Sequence, residues 1–191
     1  MTSAERGSPR RKIINSTYIT IDGVVENPHL WPSTGDAAEA ALAVQTELLE
    51  SCDTMLMGRR TYDSFSAVWP KRSDPFSDRM NAMPKVVVSR TLKNPTWENT
   101  TVISDDVVAE LQRLKAKSGK HIVQYGIGEV TFALLEHGLL DELRLWTYPL
   151  ILGKNGPASP TFRDCPPAQF RFVESAPLPN GVVIHRYDVN P

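Results

Sequence analysis

The stretch MLMGRRTYDSF, residues 55–65, decides the fold. Its apolar start completes a short buried strand, TMLMG, and Gly58 turns the chain into a helix predicted from about residue 59 to 67. A strand, a tight turn and a helix in this order build parallel sheets covered by helices. The first turn of a helix carries unpaired N–H groups and the positive end of the helix dipole. Arg59 and Arg60 at this place therefore indicate that a negatively charged group binds nearby.

The same pattern recurs along the chain. A strand from residue 12 is stopped by the turn signal Asp22-Gly23, a helix is predicted for residues 36–50, and KVVVSR and TTVI have the composition of strands. Ser104 is expected to cap a further helix that ends at Gly119. Residues 69–84 are expected to be irregular. KHIVQYGIGEVTFALLEHG repeats the strand, glycine turn and helix, and a strand follows it.

The chain then ends in two strands joined by Pro179, Asn180 and Gly181, which predicts an antiparallel hairpin. The fold predicted is α/β: a mixed, mostly parallel central sheet flanked by helices, with the C-terminal antiparallel hairpin at one side. With 191 residues, 41% of them hydrophobic, a single domain over residues 11–191 is expected, preceded by a disordered tail of residues 1–10.

Composition excludes several function classes. A formal net charge of −1 gives no broad attraction to nucleic acid or to anionic membranes, so anion recognition must be local. Cys52 and Cys165 offer neither a disulfide framework nor zinc spacing, and the four histidines are scattered, so no metal site is expected. No apolar run approaches the length of about 20 residues needed for a membrane span, and the polar start lacks the centre of a signal peptide. We expect a cytoplasmic protein.

Three turns at the carboxyl ends of predicted strands carry the chemistry. Ligands of such sheets bind where strands end and helices begin, because N–H groups there point into one crevice. The turns are residues 58–61, 89–91 and 126–129. Two glycine turns allow close approach of a diphosphate, whereas Ser89 and Arg90 offer a hydroxyl and a bidentate cation to a phosphate monoester. This combination favours NADPH over NADH.

Each turn taken alone also has a simpler interpretation. Arg59 and Arg60 could be solvated residues paired with carboxylates such as Asp63, and Ser89-Arg90 is a common way for a strand to end. Gly126 and Gly128 could serve only a tight connection, since GIGEVT lacks the last glycine of the dinucleotide fingerprint. The order of the three turns adds the specificity.

Five segments in this order resemble the dihydrofolate reductase-like superfamily. They are STYITIDGVVENPHLW, DTMLMGRRTYDSF, PKVVVSRTL, VQYGIGEVTFALLEHGLLDELRLWTYPLILG and the final hairpin, and together they span about residues 12–188. Within the superfamily, the chain is most similar to the reductase domain of the bifunctional riboflavin-biosynthesis deaminase-reductase. The double glycine of dihydrofolate reductases is Gly126-Ile127 here, so the resemblance leaves the backbone geometry of this turn open.

The resemblance implies a cofactor site and a homodimer that forms through the sheet edge or a strand near the carboxyl end. One turn would hold the diphosphate and neighbouring phosphate, the next the 2′-phosphate, the third would cover the diphosphate from the other side, and the loop 19–23 would lie over the nicotinamide. The implied cofactor residues are Ile21, Gly23, Gly58, Arg59, Arg60, Thr61, Ser89, Arg90, Gly126, Ile127, Gly128, Glu129 and Val130.

Candidates for the substrate side are one of several carboxylates and a group of aromatic residues. The carboxylate that binds a pteridine in dihydrofolate reductases would correspond to Asp36, with Asp22 and Glu39 as further candidates. Asp36 is also a natural helix cap, and Asp22 a normal turn residue. A flat pocket could be lined by aromatic residues that equally suit a core, namely Trp31, Tyr62, Phe65, Trp69 and Phe76.

These features predict an NADPH-dependent reductase that passes a hydride to a C=N or C=O carbon of a small heterocyclic or ribose-linked molecule, with a carboxylate or water as proton donor. By resemblance, the reaction is similar to that of 5-amino-6-(5-phosphoribosylamino)uracil reductase. Dihydrofolate reduction is one alternative, and a nucleotide-binding module without turnover is another.

Overall fold

One eight-stranded sheet forms the centre of the protein. The structure is a computed structural model that describes residues 11–156 and 161–190. The strands are β1 (Ile13–Thr20), β2 (Cys52–Gly58), β3 (Lys85–Val88), β4 (Thr100–Ile103), β5 (His121–Tyr125), β6 (Glu142–Tyr148), β7 (Phe170–Pro177) and β8 (Val183–Val189). The helices are α1 (Ala38–Ser51), α2 (Arg59–Val68), α3 (Pro75–Ala82), α4 (Val107–Ala116) and α5 (Glu129–Glu136). Short 3₁₀ turns lie at Pro28–Leu30, Trp69–Lys71 and Gly153–Asn155.

The strand order is β4-β3-β2-β5-β1-β6-β8-β7. The pairs from β4 to β6 are all parallel, whereas β8 runs antiparallel to both β6 and β7. The predicted mostly parallel sheet with a C-terminal hairpin is thereby confirmed. Because six neighbouring strands are parallel, their carboxyl ends share one edge of the sheet, where the three predicted turns begin.

Two apolar cores cover the faces of the sheet. Along β2, Met55 and Met57 belong to one core with Leu48 and Leu49 of α1, whereas Leu56 belongs to the other core. All three of these strand residues have no exposed surface. A strand buried on both faces has no polar side, which explains the unbroken apolar run of the opening stretch. Burial of each such side chain stabilises the fold by about 1.5–3 kcal/mol.

The second core joins the opposite face to α4 and α5. Ile13, Leu56 and Ile122 contribute from the strands, and Leu111 and Leu134 from the helices. Leu134 has no exposed surface, and Val130 in the first turn of α5 is buried as well.

The segment predicted to be irregular instead contains α3. Asp74 caps this helix by accepting a hydrogen bond from the Ser77 N–H at 3.0 Å, Pro75 occupies its first position, and Met80 is buried against the core. Proline and aromatic residues near the ends of the segment obscured the helix signal. The expectation that Ser104 caps the next helix is also wrong, because its hydroxyl bonds Asp105 and α4 begins at Val107.

The hairpin turn is confirmed. Leu178 N–H donates to the Val182 carbonyl at 2.7 Å, and Gly181 has a φ of +83°, which favours glycine. The predicted disordered tail lies outside the described residues. Within the described ranges, no helix combines the length and the apolar composition needed to cross a bilayer.

Candidate functional site

The first and third predicted turns lie against each other at the carboxyl edge of the sheet. A Cβ atom on Gly126 would lie 2.6 Å from the Thr61 Oγ1 atom, closer than real contacts allow. A Cβ atom on Gly58 would lie 3.4 Å from the Val130 Cγ2 atom. Each turn thus supplies one glycine that admits a side chain of the other. The two glycine turns form one continuous wall.

The second turn joins this wall through Thr91. Arg59 Nη1 donates to Thr91 Oγ1 at 3.3 Å, and the Ser89 and Thr91 hydroxyl oxygens are 3.5 Å apart. Ser89 Oγ accepts hydrogen bonds from the N–H groups of Thr91 and Leu92 at 3.3 and 3.1 Å, so this hydroxyl shapes its own turn. The three turns singled out in the sequence are therefore contiguous in space.

The cations of this edge are of two kinds. Arg59 Nε donates to both carboxylate oxygens of Asp63 at 2.8 and 2.9 Å, so the simpler interpretation describes this residue correctly. Arg60 and Arg90 are exposed, and within residues 11–156 and 161–190 their guanidinium groups have no hydrogen-bond or ion-pair partner. The first turn of α2 contains no acidic residue. Its positive charge at this edge is therefore only partly neutralised.

The turn from Gly126 to Val130 presents backbone donors. Gly126 has a φ of +80°, all described peptide bonds are trans, and nothing lies within 4 Å of a Cβ built on Gly128. In the described part of the chain, the Ile127 and Gly128 N–H groups have no hydrogen-bond partner. Glu129 is exposed in the first turn of α5, whereas Val130 is buried. Free N–H groups beside open space suit an anion.

The loop that follows β1 is fastened to the exit of β6. Asp22 Oδ1 accepts from the Thr20 hydroxyl at 2.5 Å, and Asp22 Oδ2 accepts from the Leu152 and Gly153 N–H groups at 3.1 and 2.8 Å. The bonds from Thr20 and Gly153, more than the bond from Leu152, lower the pKa of Asp22. Ile21 is 61% exposed at the tip and Gly23 has a φ of +84°.

Asp36 lies in a different part of the same end of the molecule. It is exposed, and Asp36 Oδ1 accepts a hydrogen bond from the Ala38 N–H at 3.0 Å, but the N-cap of α1 is Ala37, so Asp36 does not occupy the predicted capping position. It also lines a cleft of about 290 Å³ with Trp31 and Tyr148, whose rings are 5.3 Å apart. Asp22 is not among the residues of this cleft, and Glu39 is exposed on α1. The structure does not bring the candidate carboxylates together.

The aromatic candidates also separate. Trp31 lines the cleft, whereas Phe65 and Trp69, with ring centroids 6.1 Å apart, belong with Phe76 to an aromatic cluster packed on the core. Tyr62 is only 3% exposed, and its hydroxyl accepts hydrogen bonds from the Thr96 and Trp97 N–H groups at 2.8 and 3.1 Å. Burial and these occupied bonds leave Tyr62 a structural residue, which corrects its assignment to the substrate.

Sequence reasoning missed a buried polar cluster beneath the third turn. Asn15, Gln124 and Thr131 are each at most 2% exposed, and all three donate to the Gly126 carbonyl. The available signal was the presence of two amide side chains, Asn15 and Gln124, within predicted strands of a buried sheet. Such positions require a hydrogen-bond partner.

The cysteines and acidic residues do not form another centre. Cys52 and Cys165 are both free, and burial raises the pKa of the Cys52 thiol to about 11. In the ranges that the structure describes, no three histidine, cysteine or carboxylate side chains are grouped to bind a metal ion.

The strand order, six parallel strands followed by an antiparallel C-terminal hairpin, defines an α/β fold that is shared with dihydrofolate reductase. The chain belongs to the RibD C-terminal domain family, whose model matches residues 11–184. Among curated proteins, it is 30% identical over 159 residues to the uncharacterized protein YyaP of Bacillus subtilis, a match that covers 78% of this chain and 80% of YyaP.

Solved structures share the fold. A putative riboflavin biosynthesis protein from Shewanella sp. PV-4 has a TM-score of 0.70 at 20% identity and covers 94% of this chain and 99% of its own. A pyrimidine reductase-like protein from Corynebacterium diphtheriae has a TM-score of 0.67 at 16% identity, with coverages of 95% and 92%. Dihydrofolate reductase from Enterococcus faecalis, complexed with NADP(H) and RAB-propyl, has a TM-score of 0.61 at 13% identity, with coverages of 95% and 98%. Family and fold together support a reductase of the riboflavin-pathway or dihydrofolate reductase type.

Proposed function

We propose that the protein is an NADPH-dependent reductase whose cofactor binds along the three contiguous turns. The observation that carries this proposal is the pair of close approaches, Gly126 to Thr61 and Gly58 to Val130, with the link from Arg59 to Thr91. These contacts bring the two glycine turns and the Ser89-Arg90 turn together at the carboxyl edge of the sheet, which supports a shared binding site.

The residues present fit such a cofactor. A diphosphate needs backbone donors and space, which the free Ile127 and Gly128 N–H groups and the open side of Gly128 supply. A 2′-phosphate needs a cation that is not already paired, and Arg90 beside the buried Ser89 meets that need. When bound, the nicotinamide supplies a hydride. The chain's own residues bind and orient the two reactants.

The candidates to bind the substrate are assigned from the positions of the loop 19–23 and of the neighbouring cleft. The loop 19–23 would lie over the nicotinamide, and its exposed Ile21 offers an apolar surface that excludes water there. Asp36 and Trp31 of the neighbouring cleft are the candidates to bind a flat heterocycle. Asp22 holds this loop to the exit of β6 and its pKa is lowered, so it is ionised at neutral pH and unsuited to give up a proton. Water is then the better proton donor, and Asp36 stays a candidate to bind the substrate.

Among possible reactions, reduction of a ribose-linked pyrimidine similar to 5-amino-6-(5-phosphoribosylamino)uracil is the first choice, because the chain belongs to the RibD C-terminal domain family. Dihydrofolate reduction is the second candidate, and the position of Asp36 at the start of α1 beside a cleft favours it. A non-catalytic nucleotide-binding module would keep the same crevice without turnover.

Binding of NADPH and of NADH to the purified protein tests the proposal, with melting temperature as a second readout. We expect saturable binding with a clear preference for NADPH, and then NADPH oxidation with one of the two heterocycles. Binding without turnover would favour the nucleotide-binding module. No binding of either nucleotide would remove the cofactor assignment from all three turns.

We also propose that the protein is a homodimer. β7 forms an outer edge of the sheet and is exposed along nearly its whole length, with Phe170 and Phe172 exposed by 37% and 55%. An exposed edge strand with apolar side chains is a site for association. Sedimentation equilibrium should give the mass of a dimer, and Phe172→Glu should shift it toward the monomer; a monomeric wild type would contradict this.

A further inference from the structure

The Gly126 carbonyl accepts three side-chain hydrogen bonds from within the protein. Gln124 Nε2 donates at 2.7 Å, Asn15 Nδ2 at 2.9 Å and Thr131 Oγ1 at 3.2 Å. The donors come from three different elements, β5, β1 and α5. A carbonyl oxygen has two lone pairs, so three donors saturate it and restrict its direction from every side. One donor would be enough to satisfy this carbonyl oxygen, so the presence of three donors calls for another reason.

The donors are themselves fixed by a connected and buried network. Gln124 Oε1 accepts from Asn15 Nδ2, and Asn15 Oδ1 accepts from the Thr17 hydroxyl at 3.0 Å. Thr131 Oγ1 also lies 3.3 Å from Gln124 Oε1, so its single proton is shared between this oxygen and the Gly126 carbonyl. All four side chains are at most 6% exposed. In so little water, each lost bond leaves an unpaired polar group, so the network has one favoured arrangement.

The direction of this carbonyl determines the direction of the next N–H group. Because the peptide unit between Gly126 and Ile127 is planar and trans, its N–H points opposite to its C=O. The carbonyl points inward to Asn15, Gln124 and Thr131, so the Ile127 N–H points outward to the crevice. We propose that Asn15, Gln124 and Thr131 are positioning residues that hold this donor toward the cofactor diphosphate, an inference that rests on the proposed function.

The test compares two matched asparagines. Asn15→Leu removes an amide that donates to the Gly126 carbonyl and to Gln124 Oε1 and accepts from Thr17. Asn81→Leu removes an amide that donates to the Trp69 carbonyl at 3.0 Å and accepts from Trp97 Nε1 at 2.8 Å. Asn81 lies in the last turn of α3, shortly before the amino end of β3, whereas the three turns follow the carboxyl ends of their strands. Dissociation constants are measured for NADPH, 2′-phospho-ADP-ribose and adenosine 2′,5′-bisphosphate, together with melting temperatures.

We expect Asn15→Leu to weaken the binding of NADPH and of 2′-phospho-ADP-ribose about tenfold, which is the effect of one hydrogen bond on a binding constant. Binding of the bisphosphate should change much less, because this ligand lacks the diphosphate. Asn81→Leu should lower the melting temperature without changing any of the three constants. Thr131→Val removes one hydrogen-bond donor without changing the shape of the side chain. If Asn15→Leu does not fold, Thr131→Val tests the proposal instead, and it should weaken the binding of the same two ligands by a smaller factor.

Unchanged NADPH affinity in the Asn15 and Thr131 variants would overturn the positioning role while leaving the proposed function intact. Equal weakening of all three ligands, or equal weakening by Asn81→Leu, would show general loosening and would also overturn it. Failure of the wild-type protein to bind NADPH is a separate result, which removes the proposed function and this inference with it.

Discussion

Gly126→Ala tests the geometry on which the crevice depends. A residue with a side chain at a φ of +80° costs about 1–2 kcal/mol. The new Cβ atom would lie 2.6 Å from Thr61 Oγ1, and moving that hydroxyl off its rotamer costs about 0.5–1.5 kcal/mol. Alanine also restricts the unfolded chain, which offsets about 0.4–1 kcal/mol. The expected net loss is about 2 kcal/mol of unfolding free energy.

For a domain of this size, about 2 kcal/mol corresponds to a melting temperature lower by roughly 4–8 °C. Thermal unfolding followed by circular dichroism measures it, and urea unfolding gives the free energy. The double variant Gly126→Ala/Thr61→Ala should recover the steric part, about 1 kcal/mol, because the Thr61 Cβ atom would then be an ordinary 3.9 Å away. The backbone part should persist in the double variant.

Gly128→Ala is the matched control two residues further on. Its backbone is extended, and a Cβ atom there meets nothing within 4 Å, so stability should change by less than about 0.5 kcal/mol. The same methyl group would protrude into the proposed cofactor site and weaken the binding of NADPH. Full stability of Gly126→Ala, or no recovery by Thr61→Ala, would refute the proposed contact of the two glycine turns.

Three further outcomes are expected. In titrations, Arg90→Ala should weaken the binding of NADPH about tenfold or more and leave the binding of NADH unchanged, whereas Arg60→Ala should weaken the binding of both nucleotides. Equal effects of Arg90→Ala on both nucleotides would contradict the 2′-phosphate assignment. The pKa of Asp22 is lower in the folded protein than its ordinary value of 3.8, so its stabilising contribution is present above that value and is lost as pH falls through the folded pKa. Urea midpoints of wild type and Asp22→Asn should therefore converge on acidification, and a constant gap from neutral pH to about pH 2 would count against the loop anchor. Lys115→Met should cost about 3 kcal/mol in urea unfolding, since Lys115 is 5% exposed and its Nζ lies 2.6 Å from Asp141 Oδ2; a loss below about 1 kcal/mol would show that the pair adds little.

The order of elements was predictable because it is encoded locally. β2 and β5 are buried strands that run through a glycine turn into a helix, and the hydrophobic pattern of the sequence reveals both units. α3 was missed because prolines and aromatic residues near the ends of its segment obscured the helix signal, although Pro75 stands at the first helical position, where proline is favoured. Proline is an ambiguous signal in a sequence, because it disrupts the interior of a helix but is favoured at its first position.

Individual site residues were less predictable. Arg59 and Arg60 are neighbours of identical type, yet Arg59 pairs with Asp63 on the next helical turn and Arg60 is free of partners among the described residues. Tyr62 follows two residues later and is buried, since helical geometry turns it toward the core. Sequence spacing limits which side chains share a face, but it does not say which face meets the crevice.

By itself, the sequence determined the class of fold, the three turns and their position at the carboxyl ends of strands. Only the tertiary structure decided that Gly126 contacts Thr61, and that Asn15, more than a hundred residues earlier, shares one carbonyl with Gln124 and Thr131. Periodicity and turn chemistry act over a few residues and can be read along the chain. Contacts between strands that are distant in sequence depend on the order of strands in the sheet, which no local pattern records.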